Sequence, residues 1–441
     1  MLKELGLKSL DDLFQDIPED LKPHRLLDIP EGKSEAEVER LIEEALQENF
    51  APEPHRCFLG GGVWPHYVPA LVDEVVSRQE FYTSYTPYQA EVSQGMLQAL
   101  YEYQNLICDL TGMEIANSSM YDWTSAVGEA CRMAVRITRR RKIVASRNCG
   151  PQRLEVLRTY CEPIGIEVII VDYDLQKGCI DHTSFKEKVD EEVAAIYFEN
   201  PSYFGIFEEQ AEDVCRLAHQ HGAIAIVGLD PTSLGVVKPP ADYGADIVVG
   251  EGQSLGLHLN YGGPLIGIFA ARGGQKVHRQ MPGRIIGETI TKDGARRCYT
   301  MVMQTREQHI RREEATSNIC TNEALCAVAV ATYLASLGSS GFRELGRRIM
   351  ESSHYAAKKL GELEGVVSPY YAPFFKDFVV KFLEADPKKI YRNLPRYGVV
   401  GALPLGKNFP ELSDAALFSA TEVHLKSDID LLCDAVKKEL S

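Results

Sequence analysis

Apolar positions fall first at helical spacing and later in short unbroken runs, and that change of rhythm divides the chain. Ser34 and Glu37 form a capping box, and Val38, Leu41, Ile42, Ala45 and Leu46 follow at intervals of a helical turn, which predicts a helix within an N-terminal arm. Residues 49–69 read as loop, with Pro52, Pro54, the triplet Gly60-Gly61-Gly62 and Pro65. A stripe of Val92, Met96, Ala99, Tyr103, Leu106, Ile107 and Leu110 predicts a long helix over 91–110, ended by Gly112, and another is expected over 125–138. Then short runs rich in Val and Ile alternate with helical stretches, at 143–145, 167–171, 194–198, 223–227, 246–249 and 265–270. Runs of that length suit strands buried on both faces of a mostly parallel sheet with right-handed crossovers. Beyond residue 335 a helix (341–363), strands (378–382, 399–403, 416–420) and a last helix (428–440) predict a small α+β domain. The expected organisation is an arm over 1–60, a large α/β domain over 61–334 and a small domain over 335–441.

Charge and cysteine content narrow the function classes. The 441 residues carry a formal net charge of −16, which argues against nucleic acid or an anionic membrane as the main partner. No apolar run approaches the ~20 residues of a membrane span. Met1 to Asp20 mixes acidic and basic residues and lacks the apolar core of a signal peptide. None of the 11 cysteines stands in a C-x-x-C pair, so neither a disulfide framework nor a metal site is expected. Reduced thiols in a cytoplasmic protein fit this pattern.

Four stretches carry candidate chemistry. Tyr82-Thr83-Ser84-Tyr85-Thr86-Pro87-Tyr88-Gln89 is a rigid, hydroxyl-rich turn that suits either contacts to a carboxylate or an aromatic plug over a helix start. Asn117 to Ser125 opens a helix with hydroxyls and free N–H groups, which suits an anion site and ordinary capping equally. Asp246 to Gly256, followed by Asn260 to Pro264, is a strand leading into a Gly-rich polar loop, where α/β proteins bind ligands and where tight turns also need small residues. Gln304 to Thr321 starts with mixed charge, where a helix would put Arg306, His309 and Glu313 on one face. It closes with poor helix formers that suit a hydrogen-bonding loop.

Together these segments resemble the glycine decarboxylase P-protein family, specifically its N-terminal half or subunit, over nearly the whole chain. The runs 85–95, 304–312 and 315–321 are the most specific. The resemblance implies a pyridoxal-phosphate (PLP)-dependent, aminotransferase-like fold (fold type I), with a mostly parallel seven-stranded sheet and a small C-terminal α+β domain. It implies glycine dehydrogenase (aminomethyl-transferring) activity, in which glycine and the lipoyl group of H-protein give the aminomethyl-dihydrolipoyl form and carbon dioxide.

One departure is informative. PLP enzymes of this kind hold the cofactor on a lysine, and Ser254 stands at that position; no lysine lies between Lys238 and Lys276. Asp230, a possible partner for the cofactor ring nitrogen, falls several residues late against the family pattern. The resemblance therefore implies that PLP is bound covalently by a lysine-bearing partner subunit, in an α2β2 assembly, and that this chain completes the partner's site. A homodimer is expected when the chain is alone. Tyr85, Thr86 and Tyr88 are expected as hydroxyl contacts around glycine and cofactor. Arg306, His309, Arg312, Ser317 and Asn318 are expected to line the lipoyl channel or hold the tyrosine loop, and Arg284 to serve the lipoyl route or an interface. A non-catalytic structural or regulatory subunit, and a self-sufficient PLP enzyme with an unusual lysine, are the alternatives.

Overall fold

Seven strands form the central sheet of the computed structural model, which describes residues 1–47 and 49–440. They are β1 (Ile115–Ala116), β2 (Lys142–Ser146), β3 (Glu167–Val171), β4 (Val193–Glu199), β5 (Ile224–Leu229), β6 (Ile247–Glu251) and β7 (Gly267–Ala271). Their order is β1-β7-β6-β5-β4-β2-β3. The pairs from β3 to β6 are parallel, while β7 runs antiparallel to β6 and β1 antiparallel to β7. All six expected strands form, because runs such as Val193–Glu199, buried at every position, have no polar face to give to water. Helices cover both faces. Leu97, Leu100, Tyr103 and Ile107 of the Gln94–Thr111 helix join one core cluster. Ala126, Val127, Ala130 and Met133 of the Trp123–Thr138 helix join the other. Gly112 ends the first helix in the left-handed region, as its position predicts.

A hairpin, β8 (Ile285–Ile290) and β9 (Arg297–Val302), follows the sheet and is not foreseen in the sequence pattern. Its outer half is exposed and polar, so it shows neither a continuous apolar run nor clean alternation.

The C-terminal region carries a four-stranded antiparallel sheet, β10 (Val366–Val367), β11 (Asp377–Phe382), β12 (Leu403–Pro404) and β13 (Ala415–Ser419), in the order β10-β11-β13-β12. The strand expected over 399–403 is not formed as such. Val400 instead bridges to Cys57, and Ala402 has φ +60°, which breaks extended pairing before β12. The expected 341–363 helix starts far earlier, spanning Ala324–Gly361 with a break at Gly338. By length and hydropathy this helix could cross a membrane. Its Tyr333, Leu345 and Ile349 instead lie in the same core cluster as the sheet.

The chain divides into two units, Met1–Ala51 and Pro52–Ser441. Within the first, the Glu35–Leu46 helix has the expected capping box, and Val38, Leu41, Ile42 and Leu46 are exposed. Phe58, in the second unit, is fully buried in the core of the small sheet.

Candidate functional site

Parallel strands expose their carboxyl ends along one sheet edge, and ligands of α/β folds bind there. Here that edge is filled from within. Asp230 directly follows β5 and Ser254 lies three residues beyond β6; the Ser254 hydroxyl is 3.4 Å from Asp230 Oδ1. Asp230 is thus in the pocket, which corrects the placement suggested by its spacing in sequence. Thr232 donates its N–H and hydroxyl to Asp230.

The second partner comes from the start of β11. Lys376, a fully buried lysine, places its ammonium 2.8 Å from Asp230 Oδ2 and 3.6 Å from the centre of the Trp64 ring. It also lies 2.9 Å from His66 Nε2, and His66 Nδ1 is 2.9 Å from Glu422. Next to Lys376, Asp377 accepts from the Trp64 indole N–H and from the Gly61 N–H. Burial pushes the Asp377 carboxyl up, to about 6, against the pull of the Lys376 charge. On the other wall Arg153 makes a bidentate pair with Glu199, at 2.6 and 2.8 Å, and stacks 3.8 Å over the Trp123 ring.

The helix start at Trp123 is also satisfied internally. Asp122 caps it by accepting from the Ser125 N–H, and Glu251 accepts from the N–H groups of Trp123, Gln253 and Ile266. Burial pushes Glu251 up to about 8, with those three donors pulling the other way. Ordinary capping, one of the two readings of this stretch, is what the structure shows. The Gly-rich stretch is likewise committed to packing: a Cβ on Gly250 would meet the Leu229 carbonyl at 2.5 Å, and one on Gly252 the Ile266 side chain at 2.8 Å.

The space left among Trp64, Trp123, Arg153, Asp230 and Lys376 is about 10 Å³, roughly room for one water. A cofactor of PLP size needs several hundred. With no lysine at 254, a capped helix start and an ammonium already on Asp230, the residues present do not fit PLP in this chain's own pocket.

The tyrosine loop is the opposite case. Tyr82, Tyr85 and Tyr88 are exposed, Tyr85 at 77%, which excludes the aromatic-plug reading. The Tyr85 hydroxyl has no hydrogen bond among the described residues, and the Thr86 hydroxyl is buried without a partner. Tyr88 is the anchored member. Its hydroxyl accepts from Arg284 Nη2 at 2.9 Å, and the guanidinium lies 4.8 Å over its ring. Arg284, on the turn into β8, also donates twice to the Cys320 carbonyl, so one buried cation ties the tyrosine loop to the 315–321 loop.

The 304–314 run is not the single helix that would place Arg306, His309 and Glu313 on one face. It breaks into short turns, with Met303 and Arg312 at φ +57° and +54°. Arg306 is buried and donates to the carbonyls of Met281, Gly283 and Met303, holding the turn that carries Arg284. His309, Arg312 and Asn318 are exposed, and the half-buried Ser317 accepts from the Ile319 N–H. Behind Ser317 stands Glu129, a residue that sequence reasoning missed. It is buried in an Ala-rich helix and makes no ordinary hydrogen bond among the described residues. Burial pushes its pKa up, with Ser317, Arg136 and Arg132 pulling against it. A lone carboxylate amid Ala, Gly and Val was the available signal. Lys376 and Trp64, also missed, gave none, because they reach the pocket from remote segments.

The Glycine cleavage system P-protein family profile matches residues 1–435. A curated relative from Staphylothermus marinus, named probable glycine dehydrogenase (decarboxylating) subunit 1, is 46% identical over 98% of this chain and 94% of its own length. A crystal structure of glycine decarboxylase (P-protein) in inhibitor-bound form superposes with a TM-score of 0.91 at 40% identity, covering 99% of this chain and 97% of that one. A sphingosine-1-phosphate lyase from Burkholderia pseudomallei, at 14% identity and TM-score 0.68 over 96% and 95% of the two chains, shares the fold, that of fold-type-I PLP enzymes.

Proposed function

This chain belongs to the glycine cleavage system P-protein family, and from that premise we propose that it is the lysine-less subunit of glycine decarboxylase, glycine dehydrogenase (aminomethyl-transferring). Glycine and lipoylated H-protein are the substrates, and carbon dioxide and the aminomethyl-dihydrolipoyl form the products. PLP is held covalently by a lysine-bearing partner subunit, in an α2β2 assembly in the cytoplasm. The observation that carries this reading is the contrast within one chain: its own cofactor pocket is filled, while its tyrosine loop is exposed with hydroxyls left unpartnered.

In that assembly Tyr85, Thr86 and Tyr88 place hydroxyls around glycine and cofactor in the partner's site. Phenol and alcohol O–H groups suit this task because each can donate to a carboxylate while its own oxygen accepts from elsewhere. Arg284 fixes Tyr88 and the Cys320 backbone, and Arg306 fixes the turn beneath Arg284. His309, Arg312, Ser317 and Asn318, on the same two loops, line the route of the lipoyl arm. The exposed apolar residues beside the loop, Leu71 and Val92 among them, suit burial against the partner.

Exchange of carbon between glycine and bicarbonate, measured with H-protein and PLP, tests the reading. Exchange is expected only when the lysine-bearing partner is added. Exchange by this chain alone would show that one of its own lysines is catalytic and would overturn the split-site assignment.

A further inference from the structure

The filled pocket raises the question of what its filling does. In a fold-type-I enzyme an aspartate at this strand end meets the protonated ring nitrogen of the cofactor. Here the same kind of aspartate meets an ammonium: Lys376 Nζ at 2.8 Å from Asp230 Oδ2. A planar aromatic ring, the indole of Trp64, covers that ammonium at 3.6 Å. The helix start that would face an anion is closed by Asp122 and Glu251. All these replacements are side chains of this chain.

We propose that Lys376 is a built-in substitute for the cofactor, its ammonium standing on Asp230 in place of the ring cation so that the pocket is closed without any ligand. This rests on the family reading that the pocket descends from a cofactor site. The substitute also has a mechanical consequence. Lys376 directly precedes β11 of the small sheet, which Asp377 opens, whereas Asp230 and Ser254 follow the ends of β5 and β6 in the large sheet. The segment between them is stitched in on both sides. Trp64 N–H donates to Gln253, Thr421 donates to the Pro65 carbonyl, and the Tyr67 N–H donates to Glu422. In an enzyme that binds cofactor, a ligand helps hold such a pocket closed. In this chain the lysine does so permanently, and it anchors residues 61–67, the lead-in to the tyrosine loop.

Chemical rescue in the purified full-length chain tests this, with thermal unfolding and tryptophan fluorescence as readouts. The chain has two tryptophans, Trp64 and Trp123, and both line this pocket, so their fluorescence reports on it alone. Lys376→Ala should lower the unfolding midpoint by about 5 °C, since it leaves a buried carboxylate without its cation. The n-propylammonium ion matches the deleted atoms. It should raise the variant's midpoint and shift its fluorescence saturably, leaving wild type and the Lys376→Ala/Asp230→Asn double variant unaffected. Equal response of the single and double variants would overturn the proposal, because the cation would not be sitting on Asp230. Should Lys376→Ala fail to fold, two measurements still decide. Lys376→Met keeps the bulk and loses the charge, and an unchanged midpoint would sink the idea. Saturable binding of pyridoxine 5′-phosphate to wild type in equilibrium dialysis would show an open pocket and do the same. None of these readouts depends on decarboxylase activity, so failure here leaves the split-site reading standing.

Discussion

The strand-end pocket and the tyrosine loop treat polar groups in opposite ways. In the pocket the charges of Lys376 and Asp230, and of Arg153 and Glu199, are paired at short range in nearly complete burial. At the loop the Tyr85 hydroxyl is exposed and free, the Thr86 hydroxyl is buried without a partner, and Glu129 behind Ser317 is buried without an ordinary hydrogen bond among the described residues. Buried polar groups are normally satisfied, since leaving one unpaired costs about 1–3 kcal/mol. The pocket holds two unpaired groups as well, the Trp123 indole N–H and the Ser202 hydroxyl. What separates the regions is that the pocket's charges are paired and its space is filled, whereas the loop's tyrosines stand at an exposed surface. Packing and exposure thus distinguish the two regions: one is closed, the other is open to solvent.

The largest effect should follow from trying to reopen the closed region. Ser254→Lys restores the residue that PLP chemistry requires, yet Ser254 is fully buried and its hydroxyl already faces Asp230. A second ammonium there would be unpaired and without space, so destabilisation of about 4 kcal/mol is expected, with no cofactor captured. Denaturant unfolding and borohydride trapping would check both halves. A stable variant labelled at position 254 would break the comparison.

Next is a pH effect on the same closed region, at the turn that holds Pro65. His424, buried beside Thr421, has its pKa pushed down to about 4 by burial, from the ordinary 6.5, while contacts to the Cys57 and Thr421 backbone pull upward. A lowered pKa means that the folded state binds fewer protons than the unfolded one between those values. Its contribution is therefore complete above pH 6.5 and lost as pH falls towards 4, by about 3 kcal/mol in all. Glu422, held down at about 2, acts in the same direction below 4.5, although burial by itself would raise it. Asp377, raised to about 6, acts in the opposite direction. The stability difference between wild type and His424→Gln cancels the other two, and it should shrink across pH 6.5 to 4. A flat difference would mean that His424 is not held neutral.

Much of the closed region's framework was legible in sequence, and its filling was not. Runs such as Val193–Glu199 announce buried strands because a strand with two buried faces has no alternation to hide behind. Lys376 follows Phe375 in a segment that reads as an ordinary strand start, and nothing local says that its ammonium meets a carboxylate at the end of a strand far away in sequence. The open region shows the converse. Its residues were named from long motifs, but their division of labour was not. Arg306 was expected to line the channel or hold the tyrosine loop, and it props the 281–283 turn beneath Arg284, because a guanidinium has enough donors to satisfy several carbonyls at once.

At the open region the expected effects are smaller in stability and visible in rate. Tyr85→Phe removes a hydroxyl that touches nothing among the described residues, so the unfolding free energy should change by less than about 0.5 kcal/mol. Glycine–bicarbonate exchange by the reconstituted two-subunit enzyme should nevertheless fall about a hundredfold, the lower end of what a positioned proton-sharing group contributes. Unchanged exchange would remove Tyr85 from the site and leave Tyr88 as the loop's remaining candidate phenol.

The smallest change asks what Arg284 is for. Lysine at this position keeps the charge, but its compact ammonium cannot reproduce two bonds to the Cys320 carbonyl and one to Tyr88 while lying over that ring. Arg284→Lys should therefore cost about 1.5 kcal/mol of stability. Two roles then separate kinetically. If Arg284 holds the tyrosine loop in register, kcat falls while KM for H-protein stays at its wild-type value, because the lipoyl arm meets an unaltered route. If the guanidinium itself meets the lipoyl arm, KM for H-protein rises and Tyr88→Phe does not mimic the change. The geometry favours the first. Arg284 is almost wholly buried, and its Nε and Nη2 are engaged by Cys320 and Tyr88, with Nη1 turned towards the Met301 sulfur, so little of the cation remains for a substrate.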